Sequence, residues 1–152
     1  QSIKGYFNKS MNILVINGPN LSLLGEREPE IYGNDTLEEL MMWLETSSDG
    51  RNHNFKFYQS NHEGVLIDAI HDERQWANGM IINAGALSHY SYAIRDAISA
   101  TGIPTVEVHL SDIMGREDFR KISVIKDVCV RQVYGLGKKS YLEGLKILNE
   151  ID

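Results

Sequence analysis

The chain has 152 residues, which is enough for one domain with a buried core. Its formal net charge of −6 argues against nucleic acid or an anionic membrane as a partner, and no stretch reaches the ~18 apolar residues of a membrane span. The single cysteine, Cys129, cannot form an internal disulfide and indicates a reducing compartment such as the cytoplasm.

The first ten residues carry Lys4 and Lys9 but no apolar run, so they do not form a secretory signal. Met11 directly precedes the first strand-like run and stands where a natural start would be. We therefore expect residues 1–10 to be an added or disordered arm and residues 11–152 to form a single domain.

Strand-like and helix-like runs alternate from residue 12 onwards. The predicted strands are Asn12–Asn17, Asn54–Gln59, Met80–Asn83, Thr105–Leu110 and Val128–Tyr134. The predicted helices are Leu37–Ser47, Glu63–Trp76, Tyr90–Ala100, short turns up to Lys121 and a last helix from Ser140. Thr36 and Glu39 form a capping box before the first helix. This alternation predicts an α/β fold: a doubly wound, five-stranded parallel sheet in three layers, with the flavodoxin-like order 2-1-3-4-5.

Such sheets bind ligands beyond the carboxyl ends of their strands, where the strand order reverses. Here the first strand ends at Asn17, the third at Asn83 and the fourth near His109. We therefore expect the polar side chains that follow these three strands to meet in one crevice.

The connection between the first strand and the first helix is seventeen residues long, from Asn17 to Gly33, whereas ~2–6 residues are usual. Arg27 and Tyr32 stand five residues apart in it, around a proline, so the guanidinium can face the phenol. A neighbouring cation stabilises a tyrosinate, and a tyrosinate is a base. This pair predicts proton abstraction.

Glu107 and His109 alternate with apolar residues on the fourth predicted strand, so both side chains point to one face. A carboxylate beside an imidazole favours the protonated ring and fixes its tautomer. We expect His109 to be an acid that Glu107 orients. The histidines at 53, 62 and 71 belong to no motif and are expected at the surface.

The long loop resembles the signature of type II dehydroquinases (3-dehydroquinate dehydratases), in which a strand leads into N-G-P-N-L, L-G, R-E-P and Y-G. Further motifs of that family follow in order and carry the resemblance to nearly the whole chain, residues 12–141. They read Asn83-Ala84-Gly85-Ala86, His89, Ala93-Ile94-Arg95-Asp96-Ala97, Glu107-Val108-His109-Leu110-Ser111 and Arg116-Glu117-Asp118-Phe119-Arg120.

The resemblance implies a hydro-lyase of the shikimate pathway, on the route to chorismate and the aromatic amino acids. It would remove water from 3-dehydroquinate by anti elimination through an enolate, without metal or cofactor. Tyr32 would be the base, Arg27 its activator, His109 the acid and Asn20 the enolate stabiliser, while Glu107 orients the acid. The positions that would bind the substrate are Asn83, His89, Asp96, Leu110, Ser111 and Arg120.

The resemblance also implies a homododecamer of four trimers, in which Asp96 reaches the active site of a neighbouring subunit. Arg131 stands where the family favours glycine, within Lys126–Gln132, the segment that departs most from the family pattern.

A non-catalytic flavodoxin-like binding or signalling domain is the alternative. A flavin mononucleotide site needs a phosphate loop rich in Ser, Thr and Gly, whereas the long loop carries Pro, Glu and Arg. A receiver domain needs an acidic pair after strand one and an Asp ending strand three, where this chain has Asn17 and Asn83. Both patterns therefore favour the enzyme.

Overall fold

The computed structural model describes residues 9–151, and five parallel strands form one sheet in the order β2-β1-β3-β4-β5. The strands are β1 (Asn12–Asn17), β2 (Asn54–Gln59), β3 (Gly79–Asn83), β4 (Thr105–Val108) and β5 (Arg131–Val133). This confirms the predicted fold class and strand order. The predicted arm, residues 1–10, lies mostly outside the described residues.

The helices lie in two layers, one on each face of the sheet. They are α1 (Pro29–Tyr32), α2 (Leu37–Thr46), α3 (Glu63–Asp72), α4 (Tyr92–Thr101) and α5 (Lys139–Asn149). One buried cluster joins α2 and α5 to the sheet, and a second joins α3 and α4 to its other face. Within residues 9–151, no helix is both long and apolar enough to cross a membrane.

Strand β1 lies inside the sheet, between β2 and β3, and is buried on both faces, as expected for a parallel sheet covered by helices on each side. Ile13 and Val15 pack in the cluster of α2 and α5, whereas Leu14 and Ile16 pack in the cluster of α3 and α4. Both sets of side chains are fully buried. An apolar run without alternation is therefore the right pattern for this strand, and its carboxyl end at Asn17 lies beside the end of β3 at Asn83.

The predicted capping box at the start of α2 is confirmed. The Thr36 hydroxyl accepts a hydrogen bond from the Glu39 backbone N–H at 3.1 Å, and the Glu39 carboxylate accepts one from the Thr36 N–H at 2.9 Å. These bonds satisfy two donors that a helix start leaves unpaired. The capping box thereby fixes the position of the backbone at Thr36, four residues after Tyr32.

The fifth strand is shorter than predicted, because Lys126–Val128 forms a 3-10 turn and pairing starts only at Arg131. Cys129 ends that turn, so the prediction that it lies in a strand is wrong. Burial raises the pKa of its thiol to about 12, and the negative charge of Glu107 acts in the same direction. The thiol therefore stays protonated and packs as a small apolar group.

Three other bounds differ from prediction by two residues or more. β4 ends at Val108, two residues early, and α3 ends at Asp72 rather than at Trp76. α4 begins at Tyr92 because the Ser91 hydroxyl caps it, accepting the Ile94 N–H at 3.0 Å. A 3-10 turn over Gly85–His89 occupies the space before this cap.

The prediction that His53 lies at the surface is wrong, since only 7% of it is exposed. Its Nδ1 accepts a hydrogen bond from the Met11 N–H at 3.0 Å, and its Nε2 lies 2.8 Å from Asn149 Oδ1. Burial lowers the pKa of His53, which suits a neutral ring with Nε2 as the donor. The ring ties the start of β1 to the end of α5. His62 and His71 are exposed, as predicted.

Candidate active site

A crevice opens beyond the carboxyl ends of β1, β3 and β4, where the strand order reverses. Nine of the eleven predicted site residues line it: Asn20, Arg27, Tyr32, Asn83, His89, His109, Leu110, Ser111 and Arg120. The sheet rule and the family motifs thus point to the same place.

One wall of the crevice, the Tyr32 wall, consists of Arg27 and Tyr32. The Arg27 guanidinium donates a hydrogen bond to the Tyr32 hydroxyl at 3.0 Å, and its carbon lies 4.4 Å from the ring centre. The chain turns between them through Glu28, whose φ of 37° is left-handed, and then through the single helical turn of α1. The two side chains are thereby stacked within one local turn, as predicted.

A second cation faces the same ring. The guanidinium carbon of Arg116 lies 5.3 Å from the Tyr32 ring centre, and Arg116 Nη1 donates to the Ser111 hydroxyl at 3.2 Å. The Tyr32 ring is therefore in contact with two guanidinium groups that come from different parts of the chain.

A second group of side chains, the histidine wall, consists of His89 and His109, which line the crevice, and Glu107, which lies behind His109. His109 Nε2 lies 2.5 Å from Glu107 Oε2, and Glu107 is fully buried. Glu107 pairs with Ile82 of β3 and with Gln132 of β5, so its carboxylate stands in the middle of the sheet. A buried carboxylate must be paired, and the His109 ring is its partner.

His89 lies against the same ring. Its Nδ1 is 2.7 Å from the Ile122 carbonyl oxygen, and the His89 and His109 ring centres are 6.4 Å apart with planes 14° from parallel. Burial lowers the pKa of His89, and the charges of His109 and Arg120 lower it further. The hydrogen bond to the Ile122 carbonyl and the charge of Glu107 act in the opposite direction, and the net effect favours a neutral His89 ring.

Behind the crevice, a buried network fixes the ends of β1 and β3. The Tyr141 hydroxyl donates to Asn17 Oδ1 at 2.6 Å and accepts from Asn83 Nδ2 at 3.0 Å. Burial raises the pKa of Tyr141, so it stays a neutral phenol. Asn83 Oδ1 also accepts the Gly85 N–H at 3.2 Å, which sets the orientation of the amide at the crevice.

Two predicted residues do not line the crevice. Glu107 lies beneath it, in contact with His109. Asp96 lies on the exposed side of α4, outside the lining residues, so the crevice of one chain is built without it. Arg116, a lining residue, was not among the predicted site residues, although it stands at the head of a quoted motif.

The described part of the chain, residues 9–151, contains no group of three or more His, Cys, Asp or Glu side chains that could hold a metal ion. No lysine of this part of the chain lines the crevice. The groups that can move protons there are Tyr32 and the two histidines. A phenol backed by guanidinium groups can accept a proton, and a carboxylate-paired imidazole can donate one. Groups that could serve as a base and as an acid therefore line the same crevice.

The model of the class II dehydroquinases matches residues 11–149 of the chain. The chain belongs to this family. The 3-dehydroquinate dehydratase of Caldicellulosiruptor saccharolyticus is 54% identical over 142 residues, covering 91% of this chain and 97% of that protein. The Bacillus subtilis 3-dehydroquinate dehydratase is 47% identical over 137 residues, covering 90% and 93%.

Solved structures of the family agree with the fold. A type II dehydroquinase from Butyrivibrio crossotus superposes with a TM-score of 0.89 at 46% identity, covering 93% of this chain and 99% of that one. One from Propionibacterium acnes gives a TM-score of 0.87 at 37% identity, covering 95% and 100%. The type II dehydroquinase resemblance is confirmed, and a non-catalytic domain is not favoured.

Proposed function

We propose that this dehydroquinase catalyses the loss of water from 3-dehydroquinate, giving 3-dehydroshikimate. The observation that carries the proposal is one crevice in which the Arg27–Tyr32 pair faces the buried Glu107–His109 pair. The family and its named relatives supply the substrate. Elimination beside a ketone needs one base and one acid, and each pair provides one of them.

In the first step the Tyr32 oxygen, as the phenolate, takes a proton from the carbon beside the ketone. The electron pair of that C–H bond moves into the carbonyl and forms an enolate. The Arg27 hydrogen bond stabilises the phenolate before the transfer. Asn20 stabilises the enolate from the same crevice, where its left-handed backbone, φ 71°, is held by a bond from its N–H to Asn61 Oδ1 at 3.0 Å.

In the second step the enolate reforms the carbonyl and expels the hydroxyl group, which leaves as water with a proton from His109. The ring is left neutral, with Nε2 on the Glu107 carboxylate. The proton on Tyr32 then returns to solvent as His109 is reprotonated, so no net proton is consumed. Anti geometry requires the acid and the base to act from opposite faces of the ring.

Positive groups hold the substrate carboxylate locally, since the net charge of −6 would repel it. Arg120 lines the crevice with its Nε on Glu117 Oε1 at 3.0 Å, and the Ser111 hydroxyl lies beside Arg116. Together with Asn83, His89 and Leu110, they form the substrate-binding set.

Asp96 completes the site only from another subunit, because in its own chain it is on the exposed side of α4. The assembly proposed is a dodecamer of four trimers acting in the cytoplasm, with residues 11–152 as one catalytic domain. Light scattering on a sizing column tests it: the expected mass is twelve times that of one chain. Full activity in a monomer would show that Asp96 of another subunit is not part of the site.

Purified protein mixed with 3-dehydroquinate tests the activity. We expect ultraviolet absorbance of the conjugated enone to grow, with the rate unchanged by chelators and by borohydride added with substrate. Inactivation by borohydride would show an imine mechanism and would overturn the roles assigned here. Absence of enone formation would overturn the activity itself.

A further inference from the structure

The chain segment Ile122–Val124 touches the histidine wall at two points, and none of its residues lines the crevice. It follows the last turn of the Asp118–Lys121 3-10 helix and runs along the back of His89 and Glu107. Its contacts with these two residues decide which ring nitrogen of each histidine carries hydrogen.

Ser123 holds the side of Glu107 that His109 does not. Its hydroxyl donates to Glu107 Oε1 at 2.9 Å and accepts the Ile125 N–H at 3.3 Å. A serine hydroxyl has one hydrogen to donate, and here it is donated to the carboxylate. Glu107 is thus held at both oxygens in a fully buried position, one oxygen by Ser123 and one by His109.

Because the carboxylate can only accept, the His109 nitrogen facing it must carry hydrogen. That nitrogen is Nε2, which leaves Nδ1 as the ring nitrogen that gains and loses the catalytic proton. His89 has the reverse arrangement. Its Nδ1 faces the Ile122 carbonyl oxygen, which also only accepts, so Nδ1 carries hydrogen and Nε2 is left as an acceptor.

The segment is itself anchored on α4 and on the turn before it. The Val124 N–H donates to the Ser88 carbonyl at 2.8 Å, and the Val124 carbonyl accepts from Arg95 Nη1 at 2.8 Å. The Val124 side of Ser123 is therefore fixed by two hydrogen bonds, and on its other side the Ile122 carbonyl contacts His89 Nδ1. The anchored segment holds the Ser123 hydroxyl in place beside Glu107. A residue that positions another side chain must itself be held in place in this way.

We propose that Ile122–Val124 is a positioning element of the site, in which the Ser123 hydroxyl orients the Glu107–His109 pair and the Ile122 carbonyl orients His89. Ser123 is a positioning residue, since it acts on the reaction through Glu107. The role of the element in turnover rests on the proposed dehydration. The tautomers it sets are a property of the resting protein.

Solid-state NMR of sedimented protein labelled with ¹⁵N-histidine tests the tautomers directly, whatever the size of the assembly. We expect hydrogen on Nδ1 of neutral His89 and on Nε2 of neutral His109, each assigned by its loss in a His→Gln variant. The opposite tautomer at His89, or at His109, would overturn the proposal without any variant of Ser123.

Ser123→Ala and Ser123→Thr test the hydroxyl. Ser123→Ala should lower kcat about 10-fold or more with KM within about 3-fold. His109 should also lose its single tautomer, because the Glu107 carboxylate loses the hydrogen bond from the Ser123 hydroxyl. Ser123→Thr keeps the hydroxyl and should restore both. The matched control is Ser47→Ala, since Ser47 Oγ also donates once, to Leu44 O at 2.7 Å, and accepts once, from Gly50 N at 3.1 Å, at the end of α2.

The outcomes separate the inference from the proposed function. If the unaltered protein forms no enone, the dehydration fails, while the tautomers remain decided by the NMR spectra. If it forms enone and Ser123→Ala matches Ser47→Ala in kcat and in the His109 tautomer, the positioning role of Ser123 is wrong.

Discussion

The Tyr32 wall and the histidine wall differ in where their partners come from. Arg27 and Tyr32 are five residues apart, and the Arg27 side chain is 28% exposed. On the other wall the Glu107 side chain is 0% exposed, and Ser123, sixteen residues away, holds it. The proposed base is thus formed by a local pair near solvent, whereas the proposed acid rests on a carboxylate buried in the core.

This difference determines what each wall can tolerate. Water can replace part of a lost interaction on the Tyr32 wall, so changes there should act on chemistry and leave the fold intact. A buried carboxylate has no such replacement, so changes near Glu107 affect the charge state and the packing together.

The largest expected effect is that of Tyr32→Phe. The change removes the proton acceptor and keeps the ring that stacks 4.4 Å below Arg27, so substrate binding and stability should be nearly unchanged. We expect kcat to fall by about 10³-fold or more, with KM within about 3-fold. Steady-state kinetics beside Tyr134→Phe, an exposed tyrosine outside the crevice lining, measure this. Activity above a few per cent would require another base.

The second effect is that of Arg27→Ala, which removes the 3.0 Å bond to the Tyr32 hydroxyl. We expect kcat to fall by about 10²-fold, less than for Tyr32→Phe because Arg116 still faces the ring. Arg27→Lys should lie between Arg27→Ala and the unaltered enzyme, since an ammonium keeps the charge but lacks the planar fork. Arg74→Ala, which changes an exposed arginine two residues after the end of α3, is the control. If Arg27→Ala stays within a few-fold of the unaltered enzyme, Arg116 alone activates the phenol.

The same contrast explains what the sequence could predict. Local relations were predicted correctly: the Arg27–Tyr32 contact, the Glu107–His109 contact two residues apart, and the capping box at Thr36. The parallel sheet followed from the alternation of elements, because parallel strands need helical crossovers, and the size of the chain suited the strand order that is observed.

Contacts between distant residues could not be predicted this way. The Ile122 carbonyl meets His89 across 33 residues, and Tyr141 meets Asn17 across 124. A serine hydroxyl or a backbone carbonyl has no sequence pattern that identifies it as part of a site. Only the packing of α4 and α5 brings these groups to the site. His53 was misplaced for the same reason, as its partner Asn149 lies 96 residues away.

The third prediction concerns whether the Tyr32 wall is held in place by the turn between Arg27 and Tyr32 or by the following helix, α2. Thr36→Ala removes one half of the α2 capping box and should lower the free energy of unfolding by about 1 kcal/mol. We expect kcat to change less than threefold, because the Arg27–Tyr32 bond closes within the turn. Denaturant unfolding and kinetics measure both, with Thr46→Ala at the other end of α2 as the control. A large fall in kcat would show that the cap supports the base.

The smallest expected effect is on the histidine wall and depends on pH. Burial lowers the pKa of His89 in the folded protein below its ordinary 6.5, so the unfolded chain takes up its proton first as pH falls. The stability that neutral His89 contributes is therefore complete above about pH 6.5 and is lost as pH falls through the lowered folded value.

Replacing His89 with Gln should accordingly reduce the loss of unfolding free energy between pH 7.5 and pH 5.5. His53 titrates in the same direction in both proteins and cancels in the comparison. Denaturant unfolding at one fixed protein concentration measures it, with exposed His71→Gln as the control. Equal losses in the unaltered protein and in His89→Gln would mean that His89 gains no charge when the chain unfolds, and that the histidine wall is as open to solvent as the Tyr32 wall.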